Sequence, residues 1–126
     1  MQVADAGRYH ALLTAHLSKD GHELDLFFET AGQTPEPVAL PFASLKASIQ
    51  VWAGEGELRE IEFVPVSVAE QPAGQPAGQY SHFVAKVPWM NPDVPHRVII
   101  RAAIDGKDEE IRWNNFLPRK FAHHSD

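Results

Sequence analysis

The chain has seven histidines and no cysteine. Without thiolates, imidazole has to supply most of any transition-metal site. Spacing decides which histidines can act together. His10 and His16 are six residues apart on one face of a predicted strand, and at ~3.3 Å per residue that separates them by about 20 Å. They cannot hold one ion together. His16 opposite Asp25 across a predicted hairpin is a closer pair, and a third ligand has to come from a neighbouring strand, for which His82 is the candidate. His10, His16, Asp25 and His82 are therefore the first set of candidate ligands, for copper or zinc. The second is Met90 with His96, beside Trp89 on a proline-rich loop. A thioether suits Cu(I), and an indole face can cover a cation. Each set has a plainer reading. A histidine beside an aspartate on an exposed sheet face is usually a hydrogen-bonded surface pair, and Trp89 and Met90 can plug the end of a core. His22 follows a turn and is expected to be exposed, and His123-His124 in the tail offer adventitious metal binding.

The chain carries no Gly-x-Ser-x-Gly elbow, P-loop, Gly-x-Gly-x-x-Gly or His-Glu-x-x-His, and its serines lie in no recognisable nucleophile context. Carboxylates on alternating strands form solvated faces, and the run Asp108-Glu109-Glu110 follows a turn. The expectation is a protein that is not an enzyme. A net charge of -6 argues against nucleic acid as a partner, since phosphate contacts need a basic face. It also disfavours an anionic membrane surface. No apolar run approaches the ~20 residues of a membrane span, so no membrane insertion is expected. The opening Met1-Gln2-Val3-Ala4-Asp5 lacks the basic and apolar regions of an export signal. The chain is then cytoplasmic, or periplasmic or extracellular with its leader removed.

The elements that must position these residues read as strands. A length of 126 residues with 44% apolar content predicts one domain, 1–126, with 1–7 and 122–126 frayed. Asp20-Gly21 lies between two alternating runs and marks a type I′ hairpin. That register sets Leu17 against Leu24, Ala15 against Leu26 and Leu13 against Phe28 on an apolar face. The other face sets His16 against Asp25 and Thr14 against Phe27. Asp105-Gly106 predicts a second hairpin, pairing Ile100 with Ile111, Val98 with Trp113 and Arg101 with Glu110. Further strands are expected at 44–53, 57–66 and 80–87, with a short edge piece at 38–42 that Pro37 and Pro41 keep out of a central ladder position. The tandem QPAGQPAGQ at 71–79 reads as a flexible loop. The sum is an all-β antiparallel sandwich, immunoglobulin-like in the broad sense, of seven to eight strands. Phe27 falls on the polar face of its hairpin, and the closing segment with Trp113, Phe116 and Phe121 is both apolar and basic. These four are candidates for binding a protein partner or a second copy of the chain.

Four stretches taken together carry a resemblance: YHALLTAHLSKDGHELDLFFET, EPVALPFASLKASI, AGQYSHFVAKVPWM and HRVIIRAAIDGK. Their order resembles a group of small uncharacterised exported bacterial β-sandwich domains, often encoded near heavy-metal efflux components. The resemblance spans roughly residues 9–113. It implies an extracytoplasmic setting and an accessory role that binds a transition-metal ion or supports efflux. Many relatives open with a His-Gly-Gly element, where this chain holds Asp5-Ala6-Gly7-Arg8-Tyr9-His10. The alternative is a metal-free protein–protein interaction module.

Overall fold

Asp105 and Gly106 both take positive φ, 53° and 80°, so Ile104 and Lys107 pair directly across a two-residue turn. That geometry matches strand twist and is what Asp-Gly favours. In the computed structural model, which describes residues 1–52 and 56–123, the expected pairs Ile100–Ile111, Val98–Trp113 and Arg101–Glu110 all form. The strands are β1 (Gln2–Ala6), β2 (Tyr9–His16), β3 (Glu23–Thr30), β4 (Leu45–Val51), β5 (Arg59–Pro65), β6 (His82–Lys86), β7 (His96–Ile104), β8 (Lys107–Phe116) and β9 (Ala122–His123). Among the described residues no helix is long and apolar enough to cross a membrane.

The first hairpin keeps its faces and changes its partners. Residues 17–22 form a longer loop than Asp20-Gly21 alone predicts. The Ser18 carbonyl accepts the Gly21 N–H (3.1 Å), Ser18 Oγ accepts the Asp20 N–H (3.1 Å), and His22 Nδ1 accepts the Ser18 N–H (3.2 Å). Gly21 has positive φ (130°) and Asp20 does not, so the turn is not type I′. Pairing slides by two residues, to Ala15–Leu24, Leu13–Leu26 and Ala11–Phe28. A two-residue slip leaves every side chain on its face, because strands alternate with period two. Across the outer face, however, His16 now meets Glu23, and Asp25 meets Thr14.

The strand order is β1-β2-β3-β6-β5-β4-β7-β8, each neighbour antiparallel, with β9 parallel to β2. The fold is therefore all-β and antiparallel, as expected. Its eight main strands follow one continuous path curled nearly into a barrel rather than two clearly separate sheets. The path is thinnest at β5–β6, where two residue pairs meet, Val64–Val84 and Pro65–Phe83. The side-chain amide of Gln71 reinforces that place. It donates to the carbonyls of Val66 (3.2 Å) and His82 (2.8 Å) and accepts the N–H groups of Ser81 (3.3 Å) and His82 (3.2 Å). Gln71 thus does the work of a missing peptide unit and anchors a loop expected to be free. No ladder joins β1 to β8. The seam between them is closed by Trp113 Nε1 donating to the Gln2 carbonyl (3.1 Å), by Gln2 Nε2 donating to the Asn114 carbonyl (2.9 Å), and by an Arg8–Asp105 ion pair at 2.8 Å.

The interior is filled by Leu13, Leu26, Phe28, Phe63, Phe83, Ile100, Ile111, Trp113 and Phe116, all fully buried. Within the segment 1–7 expected to fray, five residues form a strand. Gln2–Ala6 pairs along β2 with Ala4 and Ala6 inward, and two small side chains are a weak strand signal in sequence. Ala122 and His123 pair with β2, while His124 and the rest of the tail, like Ala53 of the expected 44–53 strand, lie outside the described residues.

Candidate functional site

Alternation sends one set of side chains inward and the other to the outer face, and register then lines the outer set into rows across the strands. One row runs Val3, Leu12, Phe27, His82 across β1, β2, β3 and β6. The next runs Thr14, Asp25, Val84, Val64 across β2, β3, β6 and β5. Asp5, His10 and Glu29 form a polar row on one side, and His16, Glu23 and Lys86 form another. An outer face with Leu12, Phe27, Val84 and Val64 together is unusual for a sheet that faces water on that side.

Phe27 and His82 stack with centroids 4.1 Å apart and planes at 23°. His82 Nε2 donates to Asp25 Oδ1 at 2.8 Å, with the two side chains only 16% and 10% exposed. Thr14 Oγ1 donates to the carbonyl of Phe121. Val3 and Val64 remain open to solvent. Beside Phe27 and His82 lies a cavity of about 270 Å³, lined also by Glu29, Pro37, Glu70 and Pro72.

The predicted first site does not assemble as one. The structure brings Asp25 and His82 together and leaves the others apart. His16 pairs across to Glu23 at the end of β2. His10 lies in another row, its Nε2 3.9 Å from Asp5 Oδ1. Among the described residues no three of His, Asp and Glu form a group able to hold a metal ion. Of the second set, Met90 is packed into the core, and Trp89 and His96 line another cavity of about 210 Å³ whose lining does not include Met90. Two residues expected at a partner surface need correction. Trp113 and Phe116 are inward positions of β8 and fully buried, where the hydrophobic gain of burying a large ring exceeds anything a surface contact offers. Phe121 is half-buried and stacks on Phe116 (5.4 Å, 15°). Of the four, Phe27 alone keeps an outward position. Leu12, Val64 and Val84 were not singled out by sequence. Their signal is the doublets Leu12-Leu13, Phe63-Val64 and Phe83-Val84, where both parities are apolar.

His96 carries a predictable pH dependence. Burial pushes its imidazole below the ordinary 6.5, with the Val94 carbonyl opposing in part. The unfolded chain binds this proton more readily than the folded one, so stability from this group is complete above 6.5 and falls as pH drops below it. Urea midpoints measured from pH 8 down to pH 5 are expected to fall more steeply in the wild type than in His96→Gln. Parallel curves would contradict this.

Compared with known proteins, the chain matches no protein family, no curated protein and no solved structure.

Proposed function

We propose that this domain is a binding module, not an enzyme, and that it holds a basic protein partner against the outer face of β1, β2, β3, β6 and β5. The observation that carries this reading is the pair of rows centred on Phe27, which puts Val3, Leu12, Val84 and Val64 outward together. Contiguous outward apolar surface of this kind marks interaction sites. Its surroundings select the partner's charge. Asp5 and Glu29 flank the rows on one side, Glu62 stands two residues from Val64, Lys86 lies beside Glu23 on the other side, and the chain as a whole carries -6. Two copies facing each other would bring carboxylates together, which favours a basic partner over a second copy. The cavity beside Phe27 suits a lysine or arginine side chain, its methylenes along Phe27, Pro37 and Pro72 and its head at Glu29 and Glu70.

A photo-crosslinking residue at Leu12 or at Val84, tested in the native cell, is expected to form an adduct with one basic protein. The same residue at Arg112, on β8, is expected to form none. Glu29→Lys should abolish the adduct. An acidic partner, or equal adducts at all three positions, would overturn the proposal.

A second reading keeps the accessory role in metal efflux. It rests on the family resemblance and on the contact between Asp25 and His82, two donors to which a partner would add a third. Calorimetric titration with Zn(II), Cu(II) and Cu(I) tests it: stoichiometric binding lost in His82→Ala supports it, and its absence with the partner present removes it. The resemblance also supports a periplasmic or extracellular location. An immunoglobulin-like sandwich, folded over at the two-pair β5–β6 contact, is the finer reading of the architecture.

A further inference from the structure

β5 leaves most of one edge without a partner strand. It pairs with β4 from Arg59 to Phe63, whereas only Val64 and Pro65 meet β6. Past that point the two strands part. Lys86 stays in register with Glu23 of β3, and the Val87 N–H donates to the His22 carbonyl (2.8 Å). The direction of the backbone follows from one bond. The Val66 N–H donates to the His82 carbonyl (3.2 Å), so Val66 faces β6. Backbone groups alternate sides along a strand. Glu60 and Glu62 therefore turn their N–H and C=O groups to the same side as Val66, while Arg59, Ile61 and Phe63 turn theirs to β4. Among the described residues no strand pairs with Glu60 or Glu62 on that side.

An unpaired edge is a template for another strand. Two observations say which kind. Glu60 and Glu62 are exposed and stand directly beside the place an added strand takes. Lys46 approaches Glu60 at 4.0 Å from the β4 side, in an exposed pair of the kind worth little. Opposite charges across a ladder stabilise it and like charges destabilise it. Two β5 edges paired antiparallel would match even-numbered residues with even-numbered ones, setting glutamate against glutamate. A second copy is therefore disfavoured, and lysine or arginine is favoured. The other observation is that Leu58, Val64 and Trp89 stay exposed at the two ends of this edge, with the Arg59 guanidinium over the Trp89 ring at 4.5 Å. They offer apolar contact to the remaining residues of an added strand.

From these features we propose that the free edge of β5 binds an extended basic segment of a protein partner, its backbone paired with Glu60 and Glu62 and a lysine or arginine opposite each. The inference rests on the basic partner proposed above and says how that partner is held. Val64 belongs to both the edge and the outer face, so one partner can engage the two together.

The test uses the full chain and three capped hexapeptides. One alternates lysine with valine, one alternates glutamate with valine, and one has three lysines followed by three valines. Amide hydrogen exchange read by NMR reports binding. In the free protein Glu60 and Glu62 are expected to exchange faster than Arg59, Ile61 and Phe63. The alternating lysine peptide should slow Glu60 and Glu62 saturably and leave the other three unchanged. The acidic peptide should not bind, and the block peptide, of equal charge, should bind several-fold more weakly. N-methylation of a central lysine, whose N–H faces β5, should weaken binding roughly fivefold, the loss of one net hydrogen bond, and more than N-methylation of the valine beside it. Glu62→Pro removes an N–H from the free edge alone and should weaken binding at least as much. If that variant fails to fold, Glu60→Lys with Glu62→Lys should turn the preference to the acidic peptide. Protected Glu60 and Glu62 amides in the free protein, no saturation up to about 5 mM, or equal binding of the acidic peptide would overturn the proposal. The crosslink at Leu12 tests the outer face separately. An adduct there without any peptide effect at Glu60 and Glu62 would remove the edge and keep the face. Peptide binding at the edge without an adduct at Leu12 would keep the edge and remove the face.

Discussion

Trp113→Ala is expected to remove about 3–5 kcal/mol of stability, a large share of the ~5–15 kcal/mol available to a domain of this size. Two effects act at one position. The indole is fully buried opposite Val98, so truncation leaves a cavity that close-packed neighbours fill only in part. Its N–H also donates to the Gln2 carbonyl across the β1–β8 seam, where no ladder runs. Trp113→Phe separates the effects, since it keeps most of the volume and loses the bond. It should cost about 1–3 kcal/mol of stability, read from the denaturant midpoint, the loss being the seam hydrogen bond and a small void. Hydrogen exchange gives the second readout. Both variants should speed exchange along Gln2–Ala6 more than along β7. Uniform acceleration along all strands would show that the seam has no separate role.

How legible this was in the sequence depends on how local the determinants are. The hairpin at Asp105-Gly106 was read residue for residue, because a two-residue turn with positive φ at both positions is fixed by its own two residues. The Asp20-Gly21 hairpin was read correctly for its faces and wrongly for its partners. There Ser18 and His22 bind the backbone and lengthen the loop, a competition that the dipeptide does not encode. That slip of two is what moved Asp25 away from His16. Sequence places His82 on a neighbouring strand, but its contact with Asp25 is a diagonal across β3 and β6, a pairing between segments far apart in sequence. β1 is not legible in sequence because Ala4 and Ala6 are too small to announce a strand. The cavity at His96 depends on four separate segments, and no local pattern links Arg59 to Trp89. Face assignment, which is periodic, transfers well from sequence. Register and long-range neighbours, which are set by turns and by closure, do not.

Asp25→Ala should have the next largest effect, and it bears on function as well as on stability. The Asp25 carboxylate accepts the His82 N–H at 2.8 Å in a largely buried setting, a charge-assisted bond of the kind worth about 1.5–3 kcal/mol. A loss of about 2–3 kcal/mol is expected for Asp25→Ala, and a smaller one for Asp25→Asn, which still accepts the bond without the charge. A double-mutant cycle with His82→Ala should return a coupling of at least about 1 kcal/mol; values near zero would show that the two side chains act independently. The bond also holds the imidazole parallel to Phe27 at 4.1 Å, so that the centre of the outer face is rigid before any partner arrives. Rigid contact surfaces lose less entropy on binding. Asp25→Ala should therefore weaken crosslinking at Leu12 and Val84 even under conditions where the variant is fully folded. Phe27→Ser should abolish crosslinking while costing less stability than Asp25→Ala. A Phe27→Ser protein that still forms the adduct would place the partner elsewhere on the sheet.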